Sequence, residues 1–89
     1  MRIKDGFVLQ EVADEYIVVP VAEEAERLHG IIKLNETGAL IWKCLSQKDL
    51  SHEEIERKLI SEYNIELGKA ASDINAFVEK IREMGCLDE

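Results

Sequence analysis

Between Gly30 and Trp42 the chain reads GIIKLNETGALIW, an apolar strand that runs straight into an apolar helix with no loop residues between them. Ile31, Ile32 and Leu34 around Lys33 make a short β-type run. Asn35 is a strong N-cap, because its side-chain oxygen can accept from the first free N–H groups of a helix. Glu36 suits the positive end of the helix dipole. Leu34 and Ala39 hold the two positions of a hydrophobic staple, which sets the angle at which the chain enters the helix. Strand end and helix start are therefore one event. Leu40, Ile41, Trp42, Cys44 and Leu45 then cover most of the helix circumference, so this helix is contacted on several sides. Trp42 reads as a core residue rather than a ligand platform. The rest of the chain must fold around this junction.

Upstream, Phe7–Val12 and Tyr16–Val21 read as strands, with a turn at Asp14-Glu15, and should pair as a hairpin. Pro20 lacks an N–H and belongs near the second strand's end. Ala22–Leu28 is an acidic loop or a single helical turn. Downstream, Gln47-Lys48-Asp49 is a polar break and Ser51–Glu54 is a capping box. Ile55, Leu59, Ile60 and Tyr63 form the face of a second helix, with Asn64 as its stop. Ala70, Ile74, Phe77, Val78 and Ile81 stripe a third helix, and Gly85 fits the position after its end. The predicted fold is α+β and winged-helix-like, a small three-stranded antiparallel sheet followed by three helices in the order β-β-β-α-α-α. At 89 residues, the segment 1–89 is expected to form a single domain.

Composition narrows the function classes. Lys plus Arg number 11 against 19 for Asp plus Glu, a net charge of −8. The glycines stand singly, so no phosphate-cradling loop is present. His29, His52, Cys44 and Cys86 are mutually isolated, which gives no nucleophile–base pair and no metal-ligand spacing. No catalytic residue, metal or cofactor is expected. Both cysteines read as reduced core thiols. The start, MRIKDGF, has no apolar segment after it, and no run approaches the ~20 apolar residues of a membrane helix. The chain reads as cytoplasmic, with no membrane partner.

A helix-turn-helix invites a DNA-binding reading, with the third helix as reader. Its exposed charges are Lys69, Asp73, Glu79, Lys80, Arg82 and Glu83, which sum to zero. Phosphate neutralisation needs an excess of cations, so a winged-helix transcriptional regulator is the disfavoured alternative and no nucleic-acid partner is expected. Strand addition fits better: an extended peptide can pair with the open edge of a small sheet. The third strand, Gly30, Ile31, Ile32, Lys33 and Leu34, is the chosen edge, with the third helix as the facing wall. Alternation sends Ile32 and Leu34 to the core and Ile31 and Lys33 to the other face. On the helix, Ile74, Phe77 and Ile81 cluster inward. Ala71, Asn75, Val78 and Arg82 run along one flank, and Asp73, Lys80 and Met84 along the other. The first flank offers an apolar floor ending in a cation. Candidate peptide-binding residues are thus Gly30 to Leu34 together with Ala71, Ile74, Asn75, Val78 and Arg82. A free edge can also pair with a second copy, so a monomer or weak homodimer is expected.

Leu34-Asn35-Glu36-Thr37-Gly38-Ala39-Leu40-Ile41-Trp42 resembles the PqqD family, and so do the helix that ends near Glu62-Tyr63 and the helix that ends Met84-Gly85-Cys86-Leu87. The resemblance is clearest over residues 30–87. It implies a recognition element for ribosomally made, post-translationally modified peptides. Such an element holds the leader segment of a precursor peptide and presents it to a maturase, often a radical SAM enzyme. The resemblance also implies that the leader docks as an added strand on the third strand, in a groove walled by the third helix.

Overall fold

The computed structural model describes residues 1–89. The elements are β1 (Arg2–Ile3), β2 (Phe7–Val12), β3 (Glu15–Pro20), α1 (Glu23–Arg27), β4 (Ile32–Leu34), α2 (Glu36–Gln47), α3 (His52–Tyr63), α4 (Leu67–Glu83) and β5 (Leu87–Asp88). The expected three strands and three long helices are present. Short β1, β5 and α1 add to them; β1 and β5 are too brief to show a period in sequence. The third strand, expected over Gly30–Leu34, is only Ile32–Leu34, because Gly30 at φ 113° is still turning and Gly30 and Ile31 precede the paired residues.

Ala13 and Asp14 both have positive φ, 50° and 67°, and join β2 to β3 with Val12 opposite Glu15. Two left-handed residues in a two-residue loop make a type I′ turn, which matches the twist of the flanking strands. The turn lies one residue before the expected Asp14-Glu15. It also sets the phase of the ladder. Val12 and Glu15 close the turn as a hydrogen-bonded pair, so alternation turns Ile17 and Val19 toward β2 and Tyr16 and Val18 away from it. There β4 pairs, Leu34 opposite Tyr16 and Ile32 opposite Val18. Lys33, opposite Ile17, falls at a non-hydrogen-bonded pair. Its N–H and C=O therefore point out of the sheet. The order β2-β3-β4 leaves β4 at an edge.

At the junction Asn35 Oδ1 accepts from the Gly38 N–H at 2.7 Å. A Cβ on Gly38 would lie 3.0 Å from that oxygen, 3.5 Å from Leu34 Cβ and 3.6 Å from Phe77 Cδ2. Glycine here lets cap, strand and α4 meet at one point. The Ser51 capping box is reciprocal, and Asn64 caps α3 in the left-handed conformation. One apolar cluster of 16 buried residues draws on the sheet and all three long helices, with Ile41, Ile55, Leu59, Ile74 and Ile81 fully buried. Phe7 meets Trp42 edge-on at 6.2 Å. No helix is long and apolar enough to cross a membrane.

β1 pairs antiparallel with β5, and the Met1 ammonium donates to Asp49 at 2.7 Å and to the Leu50 carbonyl at 2.9 Å. On α1 the buried Glu24 carboxylate accepts from Arg27 Nε at 2.8 Å and lies 3.5 Å from Lys4 Nζ. Arg27 also reaches the Met84 carbonyl at 3.2 Å, tying α1 to the end of α4.

Both thiols are buried. Burial pushes the Cys86 thiol up to about 11 and raises that of Cys44. Iodoacetamide at pH 8 is therefore expected to leave both native thiols unmodified and to label two per chain after denaturation, read by mass spectrometry. Native labelling at either site would contradict their burial. The folded pKa of Cys86 lies above its ordinary value, so its contribution to stability is complete below about pH 8.5 and is lost as pH rises toward 11.

Candidate functional site

The outer edge of β4 carries main-chain groups without strand partners, and α4 runs beside it. Ile32 is 2% exposed and Leu34 is half-buried, so both sit on the core face as expected; Lys33 and Ile31 are exposed. Lys80 Nζ donates to the Lys33 carbonyl at 2.7 Å and bridges helix and edge. Between them lies a cavity of about 110 Å³ lined by Lys33, Leu34, Asn35, Gly38, Asp73, Ala76, Phe77 and Lys80. Leu34, Gly38 and Phe77 make its apolar floor. Asp73 is held by Lys69 at 2.7 Å.

The helix flank that faces β4 is thus Asp73, Ala76, Phe77 and Lys80. This corrects the choice of Ala71, Asn75, Val78 and Arg82. Ile74 is fully buried and Val78 is 7% exposed, both within the core. Asn75 Oδ1 lies 3.0 Å from His52 Nε2, so its flank turns to α3. Ala71, one turn before Asn75, is half-buried on that flank. Arg82 is bound bidentately by Glu89, at 2.7 and 3.1 Å. The physical reason is that Ile74, Phe77 and Ile81 define only which side of α4 is inward. Packing of α3 then claims one flank, and the two flanks look equally amphipathic in sequence.

A second cavity of about 390 Å³ continues from the first through Lys33, Leu34 and Asn35, with Glu11, Asp14, Glu15, Tyr16 and Glu36 as its other lining. The negative field of Glu11, together with burial and with Glu36 and Asp14, raises the Tyr16 phenol above its ordinary value. The edge therefore ends in a strongly acidic mouth. The sequence signal was weak: Glu11, Asp14 and Glu15 sit close in the chain, but Glu36 joins them only through the sheet. No three His, Cys, Asp or Glu side chains are arranged to hold a metal ion.

What this arrangement offers is recognition: one outward N–H and C=O pair on Lys33, a small apolar notch, a lysine beside it and carboxylates at the far end. Main-chain groups would set the register of an added strand, and the notch and charges its side chains.

The chain matches the family model of Coenzyme PQQ synthesis protein D (PqqD) over residues 15–87. No curated protein matches it. Two solved structures share its fold. One is TbiB1 in complex with the TbiA(beta) leader peptide, at TM-score 0.70 and 22% identity, covering 99% of this chain and 95% of that one. The other is a lasso peptide synthetase B1 complexed with the leader peptide, at TM-score 0.68 and 26% identity, covering 96% of this chain and 93% of that one.

Proposed function

Since this chain belongs to the PqqD family, we propose that it is a non-catalytic module that captures the leader segment of a ribosomally made precursor peptide and presents it to a maturase. The observation that carries this reading is the outward N–H and C=O pair of Lys33 beside the Leu34–Gly38–Phe77 notch. A leader strand adds to β4, and its inward side chains meet Asp73, Ala76, Phe77 and Lys80. The two structural relatives were each solved with a leader peptide, which supports the same role here. The maturase is a radical SAM enzyme, and the two act together in the cytoplasm. Capture raises the effective concentration of the attached core peptide at the partner's active site, so the module needs no chemistry of its own.

A DNA-reading role fits poorly. Of the α4 cations, Lys69 and Arg82 are already paired with Asp73 and Glu89. The test is to titrate ¹⁵N-labelled protein with synthetic peptides from the short reading frames that neighbour its gene. One such peptide is expected to shift the amides of Ile31–Leu34, Asp73, Ala76, Phe77 and Lys80, with smaller changes at Asn75 and Arg82 and none from its scrambled version. Shifts confined to other surfaces, or tight binding of duplex DNA at moderate salt, would sink the proposal.

A further inference from the structure

On the empty edge of β4 the outward carbonyl of Lys33 is not idle: Lys80 Nζ donates to it at 2.7 Å. Ile32 and Leu34 turn their main-chain groups to β3, so Lys33 is the residue of β4 with which an added strand must bond. The incoming N–H needs the in-plane approach to the same oxygen. That oxygen has two lone pairs, so the incoming N–H competes with the Lys80 ammonium without excluding it, and the exposed ammonium is free to turn to water or to a new partner. Asp73 is a poor one, because it is only 20% exposed and already holds Lys69. The other charged group at this notch is Lys33 itself, which repels an ammonium. An arriving carboxylate has no such handicap, and its bond to an ammonium is stronger than the neutral carbonyl bond it replaces.

Strand geometry says where that carboxylate sits. A peptide residue directly opposite Lys33 shares the Lys33 face of the sheet. Its two neighbours point to the opposite face, toward Leu34, Phe77 and α4. One neighbour enters the notch and the other passes Lys80. Resting on the capture reading above, we propose that Lys80 is a specificity-determining residue. It caps the empty edge through the Lys33 carbonyl and, on capture, moves to an Asp or Glu of the peptide that stands two residues from the apolar side chain filling the notch. The acidic mouth at the Asn35 end steers by sign from a distance, whereas Lys80 reads one position by contact. While no peptide is bound, the same cap denies the edge to a second copy.

The experiment selects a display library of random twelve-residue peptides on folded wild type, Lys80→Met and Lys80→Glu, and maps the winners by ¹⁵N shifts. Lys80 is exposed, so both variants are expected to fold. Wild type should enrich Asp or Glu two positions from an apolar residue. Lys80→Met should lose that preference, and Lys80→Glu should bind the wild-type winners about tenfold more weakly and enrich Lys or Arg at the same position. In the unbound protein, Lys80→Met should also shift the Lys33 carbonyl ¹³C resonance. If peptides map to β4 but show no acidic position, or all three proteins enrich the same peptides, the Lys80 assignment is overturned while edge capture stands. If the enriched peptides map away from β4, or none is enriched, both fall.

Discussion

Lys33→Pro is expected to weaken peptide capture severely in a protein that still folds. The Lys33 N–H points out of the sheet, so its loss takes nothing from the ladder with β3. Proline is tolerated on edge strands in that orientation. An incoming strand, however, loses a donor and meets the ring where its own carbonyl should dock. A forfeited hydrogen bond plus an unpaired peptide carbonyl should weaken binding on the order of a hundredfold. Lys33→Met separates the backbone effect from the loss of charge and should bind within a few-fold of wild type. Titration of one peptide against all three proteins, with circular dichroism as the check on folding, decides it. Equal binding by folded Lys33→Pro would show that the peptide does not add to β4. Ile32→Pro is not an equivalent test. That N–H points to Val18, and the side chain is 2% exposed, so the substitution should damage the fold itself.

Phe77→Ala is expected to give the largest stability loss of any substitution at the notch. Phe77 is 5% exposed and belongs both to the core and to the notch floor. Phenylalanine-to-alanine changes at such sites cost about 3–5 kcal/mol, from lost burial and from the void left behind. For a domain of this size that lowers the melting temperature by more than ~12 °C. Phe77→Leu should cost less and should enlarge the notch enough to favour a bulkier peptide side chain. Thermal melts followed by circular dichroism test the first claim. A Phe77→Ala protein that melts within a few degrees of wild type would mean the ring is a surface residue and the notch has no rigid floor. The notch is therefore part of the core rather than a soft groove, and it should select its occupant by size rather than reshape around it.

The strands and helices that carry strong local chemistry were legible in the sequence. Asn35 and Ser51 cap as their side chains dictate, and the Ile32/Leu34 alternation points to the core. Three features were not legible. The type I′ turn uses Ala13, which has no local preference for positive φ; tertiary pairing imposes it, and with it the phase that turns Lys33 outward. The orientation of α4 depends on where α3 packs, and the contact that marks the α3 side of α4, His52 with Asn75, is between polar residues that carry no periodic signal. The acidic mouth was hidden for a related reason: Glu36 reaches Glu11 and Asp14 only when β4 is the third strand in order.

The looped-out residues that usually absorb length variation are missing between β4 and α2, where Leu34, Asn35 and Glu36 are strand end, cap and helix start in succession. Insertion of one residue there inverts the two faces of the strand and rotates the helix by ~100° relative to it. Neither change can be corrected without the other. Ile32 would face solvent, or Ile41 and Trp42 would leave the core. Point substitutions at exposed Lys33 or Glu36 leave that phase relation intact. A deep scan of single-codon insertions and deletions should therefore show a sharp intolerant interval at residues 32–42, flanked by tolerant positions around His29 and Lys48, both exposed and outside the helices and strands. The reading frame of the fold, more than the identity of any exposed residue in the interval, is what selection would have to protect.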